Sequence, residues 1–78
     1  MSPVSDGWNV RVTTLDGAGR PAVFRHYLVF EADKRRAIAL VRMDVSVGDG
    51  EAVEALAPAG LNELLGQRMK PGDVKQLF

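Results

Sequence analysis

Cysteine is absent from this chain of 78 residues, and histidine occurs once. Without cysteine, the sequence excludes a disulfide framework, thiolate chemistry and a cysteine-based zinc site, and this composition fits a reducing compartment. Ten basic residues balance ten acidic ones, so the field of the whole chain neither attracts nor repels nucleic acid. Any basic surface must therefore be local.

Long apolar runs are also missing. No stretch approaches the ~20 apolar residues that cross a bilayer, and the opening sequence MSPVSDGW lacks the basic start and apolar stretch of a signal peptide. We therefore expect a soluble, cytoplasmic protein with no membrane association. Ala, Val, Arg and Gly prevail over Ile, Asn and Lys, a bias typical of GC-rich bacterial genes.

The composition that remains is that of an ordinary globular protein, 46% hydrophobic and 26% charged. A chain of this length buries only about 60% of its surface on folding, which leaves a thin core and little room for a deep cavity. Ser, Pro, Asp and Gly dominate residues 1–7, which we expect to form a flexible lead-in. Residues 8–78 are expected to form a single domain.

Two strands open the domain. Apolar and polar residues alternate over 8–14, which predicts a strand with Trp8, Val10 and Val12 toward the core. Turn-forming residues over 15–21 predict a hairpin loop.

The second strand, over 22–31, carries apolar residues on both faces, a pattern typical of a strand that is covered twice. We expect its core face to be the one that leads into the following helix. The residues assigned to this face are Phe24, Leu28 and Phe30, and those assigned to the exposed face are Val23, Arg25, Tyr27 and Val29.

The stretch that follows is helical. Asp33 is a favourable N-cap, and residues 34–43 contain neither Gly nor Pro. Ala37, Ile38 and Val41 recur at helical spacing and predict a stripe that packs on the sheet.

The remaining elements are shorter. Residues 51–57 predict a third strand that runs parallel to the second through a right-handed crossover. If 45–47 is also extended, 48–50 becomes a hairpin turn instead. A short helix is predicted over 61–67 with three leucines toward the core, and the final residues either dock on the sheet or form one more turn. These leucines are Leu61, Leu64 and Leu65. The fold class is therefore α+β, a small two-layer domain of order β-β-α-β-α with an N-terminal hairpin.

Catalytic signatures are weak. His26 has no Ser, Cys or second His nearby in sequence, so a structural histidine is the favoured interpretation. Glu51 and Glu54 are three residues apart and fall on opposite faces of a strand. The acidic residues are dispersed and match no metal-ligand spacing. We therefore expect no enzyme activity, no cofactor and no metal.

Charge segregation is the clearest functional clue. Residues 20–44 hold six basic and three acidic residues, whereas 45–66 hold four acidic residues and no basic one. We expect a small non-catalytic interaction module that binds a protein partner or itself through the 22–31 strand. The candidate partner-binding residues are Val23, Arg25, Tyr27, Val29, Lys34, Arg35 and Arg36.

The alternative is a small nucleic-acid-binding protein. In that case Arg25, Lys34, Arg35 and Arg36 would contact phosphates. An aromatic side chain beside these cations would favour it, and only Tyr27 qualifies in sequence.

Overall fold

The predicted hairpin and helix are both present in the computed structural model, which describes residues 6–45, 47–48 and 50–77. The order β-β-α-β-α-β confirms a small two-layer α+β domain and adds a fourth strand. The elements are β1 (Gly7–Leu15), β2 (Pro21–Val29), α1 (Lys34–Asp44), β3 (Glu51–Ala59), α2 (Leu61–Gly66) and β4 (Val74–Gln76). β1 thus includes Gly7, the last residue of the predicted lead-in, and residues 1–5 of that segment lie outside the described residues.

The four strands form one antiparallel sheet in the order β3-β1-β2-β4. β1 is central, with β2 on one side and β3 on the other. β3 runs in the same direction as β2, as the sequence predicts, but β1 lies between them. β3 is therefore an edge strand that pairs antiparallel with β1, not parallel with β2.

Asp16 closes the hairpin between β1 and β2. Its carboxylate accepts hydrogen bonds from the backbone N–H groups of Ala18 and Arg20, each at 2.9 Å. Gly19 has a φ of 78°, a conformation that glycine adopts without a steric penalty. The loop predicted from the Asp-Gly pair and the second glycine is thus present.

α1 covers one face of the sheet. Asp33 is its N-cap, and the Asp33 side chain accepts a hydrogen bond from the Arg36 backbone N–H at 3.0 Å. Ala37 and Val41 are fully buried on the helix stripe, as predicted. They pack against side chains of β1 and β2. Each large apolar side chain that is fully buried there stabilises the fold by about 1.5 to 3 kcal/mol. This cluster contains Val10, Val12, Tyr27, Val29, Ala37 and Val41.

A second, smaller cluster lies on the opposite face. There α2 packs over one end of the sheet, where Leu64 meets Leu28, Ala59 and Met69. Of the three leucines predicted to face the core, only Leu64 is buried. Leu61 and Leu65 are 44% and 55% exposed, because a helix of six residues can turn only a narrow stripe toward a sheet.

The C-terminal segment docks on the sheet, one of the two outcomes left open by its sequence. Pro71 and Gly72 form a turn in which the Asp73 N–H donates to the Lys70 carbonyl at 2.9 Å. Gly72 has a φ of 92°, as the third position of a type II turn requires. β4 then pairs with residues 27–29 of β2.

Candidate interaction surface

The structure confirms Leu28 as a buried residue of β2, but it places α1 on the opposite face of this strand from the one predicted. Tyr27 and Val29 are 3% and 0% exposed beneath α1, whereas Phe24 is 47% exposed. The expectation that Tyr27 and Val29 are exposed and that Phe24 lies in the core is wrong. The reason is the hairpin register, which pairs Val10 with Tyr27 and so places both on one face of the sheet.

Within the described residues, the other face of the sheet is covered only at the end where α2 lies. We call its uncovered part the open face. The register pairs Arg11 with His26 on β2 and with Glu54 on β3, and it pairs Thr13 with Phe24 and Ala52. These six side chains share one face because neighbouring strands keep paired residues on the same side. Alternation along β1 adds Leu15, and the same alternation continued one residue beyond β4 adds Leu77; they are 36% and 37% exposed.

A row of interacting side chains crosses three strands of the open face. Arg11 Nε donates to Glu54 Oε1 at 3.0 Å, and the Arg11 Nη2 group makes a second contact to the same oxygen. The Arg11 guanidinium also lies 5.0 Å from the centroid of the Phe24 ring, a cation–π distance. The side chains of Arg11 and Glu54 remain 33% and 52% exposed. The row therefore fixes the orientation of these groups while leaving them accessible.

Sequence reasoning missed Arg11 and Glu54 as members of this surface. The available signal was the alternation of β1 itself, which predicts Trp8, Val10 and Val12 toward the core. Arg11 must then point to the other side, and a hairpin places its cross-strand neighbours from β2 beside it.

The edges of the sheet are less accessible than its open face. On β3, the Glu51 N–H already donates to the Gly48 carbonyl at 3.1 Å, Pro58 has no N–H, and a register shift skips Leu56. On β2, a register shift skips Ala22, and the His26 carbonyl accepts a hydrogen bond from the Leu77 N–H at 2.7 Å. Bulges and proline are devices that discourage edge-to-edge pairing of strands. The open face is consequently the better candidate for contact with another molecule.

Glu51 joins three strands near the other end of the sheet, on the face of α1. Its carboxylate accepts hydrogen bonds from Thr14 Oγ1 at 2.8 Å and from the Gly48 N–H at 3.3 Å, and it forms an ion pair with Arg25. The hydrogen bond from Thr14, followed by that from Gly48 and by the charge and hydrogen bond of Arg25, lowers the pKa of Glu51 below its ordinary value. The Arg25 side chain therefore takes part in an ion pair within the fold.

The predicted basic residues do not form one patch. Lys34 Nζ lies 5.7 Å from the centroid of the Trp8 ring, at the end of β1 where Trp8 pairs with Val29. Arg25 pairs with Val12, four residues further along β1, which corresponds to roughly 13 Å. Lys34, Arg35 and Arg36 are exposed on the first turn of α1, apart from Arg25 and on the other side of the sheet from Arg11.

Two further features bear on chemistry. A surface depression of about 260 Å³ lies between the end of α1 and β4, lined by Leu40, Met43, Asp44, Gly72 and Val74. Ligand pockets commonly enclose about 300 to 1,000 Å³, so this depression is small for one. Across the described residues, no three His, Asp or Glu side chains are grouped so that they could hold a metal ion.

Neither helix in the described part of the chain is long and apolar enough to cross a membrane. Comparison of the chain with protein-family models, with curated proteins and with solved structures found no significant match.

Proposed function

We propose that this protein is a small non-catalytic interaction module that binds a protein partner, or itself, through the open face of its sheet. One observation carries the proposal. An aromatic side chain, Phe24, is half exposed on a sheet face that α2 covers only at one end. Large aromatic groups that remain accessible on a positioned scaffold are favoured anchors of protein interfaces.

The proposed interaction surface lies on the opposite face of β2 from the surface that the sequence predicts. It keeps the β2 strand, but Tyr27 and Val29 belong to the core and Arg25 is bonded to Glu51. Phe24 replaces them, with Arg11 and Glu54 beside it. The mixture of an aromatic anchor with flanking polar groups suits a protein surface better than a phosphate backbone, which requires an excess of positive charge.

The experiment compares two neighbouring residues of β2 that point to opposite faces. Phe24 is 47% exposed on the open face, and Val23 is 52% exposed on the other face. The wild-type chain and the variants Phe24→Ser and Val23→Ser serve as immobilised baits, with circular dichroism as the control for folding. A specific partner should be retained by wild type and by Val23→Ser and lost with Phe24→Ser. Equal retention by all three baits would contradict the proposal, as would equal loss with both variants.

A further inference from the structure

We propose that Met43 is a site of reversible oxidation, at which a peroxide converts the thioether to a sulfoxide while the domain stays folded. The chain contains no cysteine, so its sulfur is confined to three methionines. Met43 lies near the end of α1, on the other side of the sheet from the open face. The inference is therefore independent of the proposed function.

The Met43 side chain is the accessible one. Ala37 and Val41 hold α1 against the sheet, and the side chain of Met43 is turned by about 200° from that of Val41. It is 80% exposed and forms part of the lining of the depression between α1 and β4. A peroxide dissolved in water thus reaches its sulfur without any movement of the backbone.

Met69 provides the contrast within the same fold. It is 5% exposed and packs with Leu28, Ala59 and Leu64 beneath α2. Its N–H also donates to the Leu64 carbonyl at 3.2 Å, which ties the residue to the end of that helix. Oxidant reaches this sulfur only when the cluster opens, and a sulfoxide oxygen would there lie among apolar groups. Met1 is outside the described residues.

The reaction is a two-electron oxygen transfer. A lone pair of the Met43 sulfur attacks one oxygen of hydrogen peroxide, and the O–O bond breaks. The hydroxide that leaves takes the proton of the new S–OH group, which gives water and the neutral sulfoxide. The sulfur is oxidised and the peroxide is reduced. Methionine sulfoxide reductases return the sulfoxide to the thioether, and an exposed position is accessible to them.

The structural consequence is confined to the surface. Oxidation replaces a flexible apolar side chain by a polar one, which disrupts a core when the residue is buried. At Met43 the sulfoxide remains in water, so no buried contact is lost. The lining of the depression becomes more polar on the side of α1, while the clusters on both faces of the sheet keep their packing.

Treatment of the full chain with hydrogen peroxide, followed over time by peptide mapping, tests the inference. Each oxidised peptide gains one oxygen, so Met43 and Met69 are measured separately. Met43 should be oxidised at least about tenfold faster than Met69 in the folded chain, because Met69 must wait for the cluster to open. In urea the two rates should become similar. Equal rates in the folded chain would overturn the inference.

The variant Met69→Leu isolates the effect of Met43 on the fold. After peroxide treatment it should keep the circular dichroism spectrum and the urea midpoint of the untreated protein, and a methionine sulfoxide reductase should remove the oxygen from Met43. The variant Met43→Leu, oxidised in urea and then refolded, should have a lower midpoint. Unfolding of Met69→Leu after oxidation at Met43, or a sulfoxide at Met43 that the reductase leaves unchanged, would contradict the proposal.

Discussion

Replacement of Gly7 by alanine tests how closely α2 is held against the sheet. A Cβ atom at this position lies 2.2 Å from the Val29 carbonyl oxygen and 3.0 Å from Leu64 Cδ1. A carbon and a carbonyl oxygen normally approach to about 3.3 Å, so β1 and β2 must separate by about 1 Å. The Val29 oxygen belongs to the backbone and cannot rotate away as a flexible side chain does. Gly7→Ala therefore disturbs the strand pair and the seat of α2 together.

The magnitude follows from three contributions. Overpacking costs about 1 to 3 kcal/mol, and a weakened hydrogen bond of the strand pair costs about 1 kcal/mol. Alanine offsets about 0.5 to 1 kcal/mol because it reduces the entropy of the unfolded chain. The net loss of unfolding free energy for Gly7→Ala is thus about 1 to 3 kcal/mol. In a domain of this size that corresponds to a fall of roughly 5 to 20 °C in the melting temperature.

Gly66→Ala is the matched control, because a Cβ atom there meets nothing within 4 Å and the residue belongs to α2. This variant should gain up to about 1 kcal/mol from helix propensity. Urea unfolding, followed by circular dichroism and by the fluorescence of the single tryptophan, measures both. A Gly7→Ala protein whose stability stays within about 0.5 kcal/mol of wild type would refute the reasoning.

Two more predictions concern stability. The folded-state pKa of Glu51 is lowered by Thr14 and its other donors, so its contribution is present at neutral pH and is lost as pH falls below about 4.5, its ordinary value, through the lowered folded-state pKa. Urea titrations at several pH values should show this loss for wild type and a smaller one for Glu51→Gln, and equal pH profiles would contradict the assignment. Asp33→Ala removes the hydrogen bond from the Arg36 N–H and should cost about 1 kcal/mol, measured by thermal unfolding, while Asp33→Ser should retain most of it.

Local signals in the sequence predicted the elements of the fold well. Alternation placed Val10 and Val12 in the core, and the helical stripe identified Ala37 and Val41, all of which are fully buried. Asp33 caps α1 as expected, because an N-cap depends only on a side chain and the first helical turn. Such features need no knowledge of distant parts of the chain.

The face of β2 could not be chosen from β2 alone, because both of its faces are apolar and both are buried in part. Leu28 packs beneath α2, whereas Tyr27 and Val29 pack beneath α1. The deciding fact is the hairpin register, including the shift at Ala22, which a sequence of turn-forming residues specifies only loosely. Likewise, the position of β3 beside β1 rather than β2 depends on which strand edge remains free, a property of the whole sheet.

The same topology explains why the interaction surface lies where it does. β3 pairs with the edge of β1 that faces away from β2, so the β1–β2 hairpin forms the centre of the sheet. The helix α1 covers one face of this sheet. On the second face, among the described residues, the six-residue helix α2 covers only one end. Arg11 and Glu54 neutralise each other in the exposed area, and the Phe24 ring lies against the Arg11 guanidinium. A face that α2 covers only at one end, yet is internally paired in charge, is one that a partner surface can cover without leaving an unpaired ion.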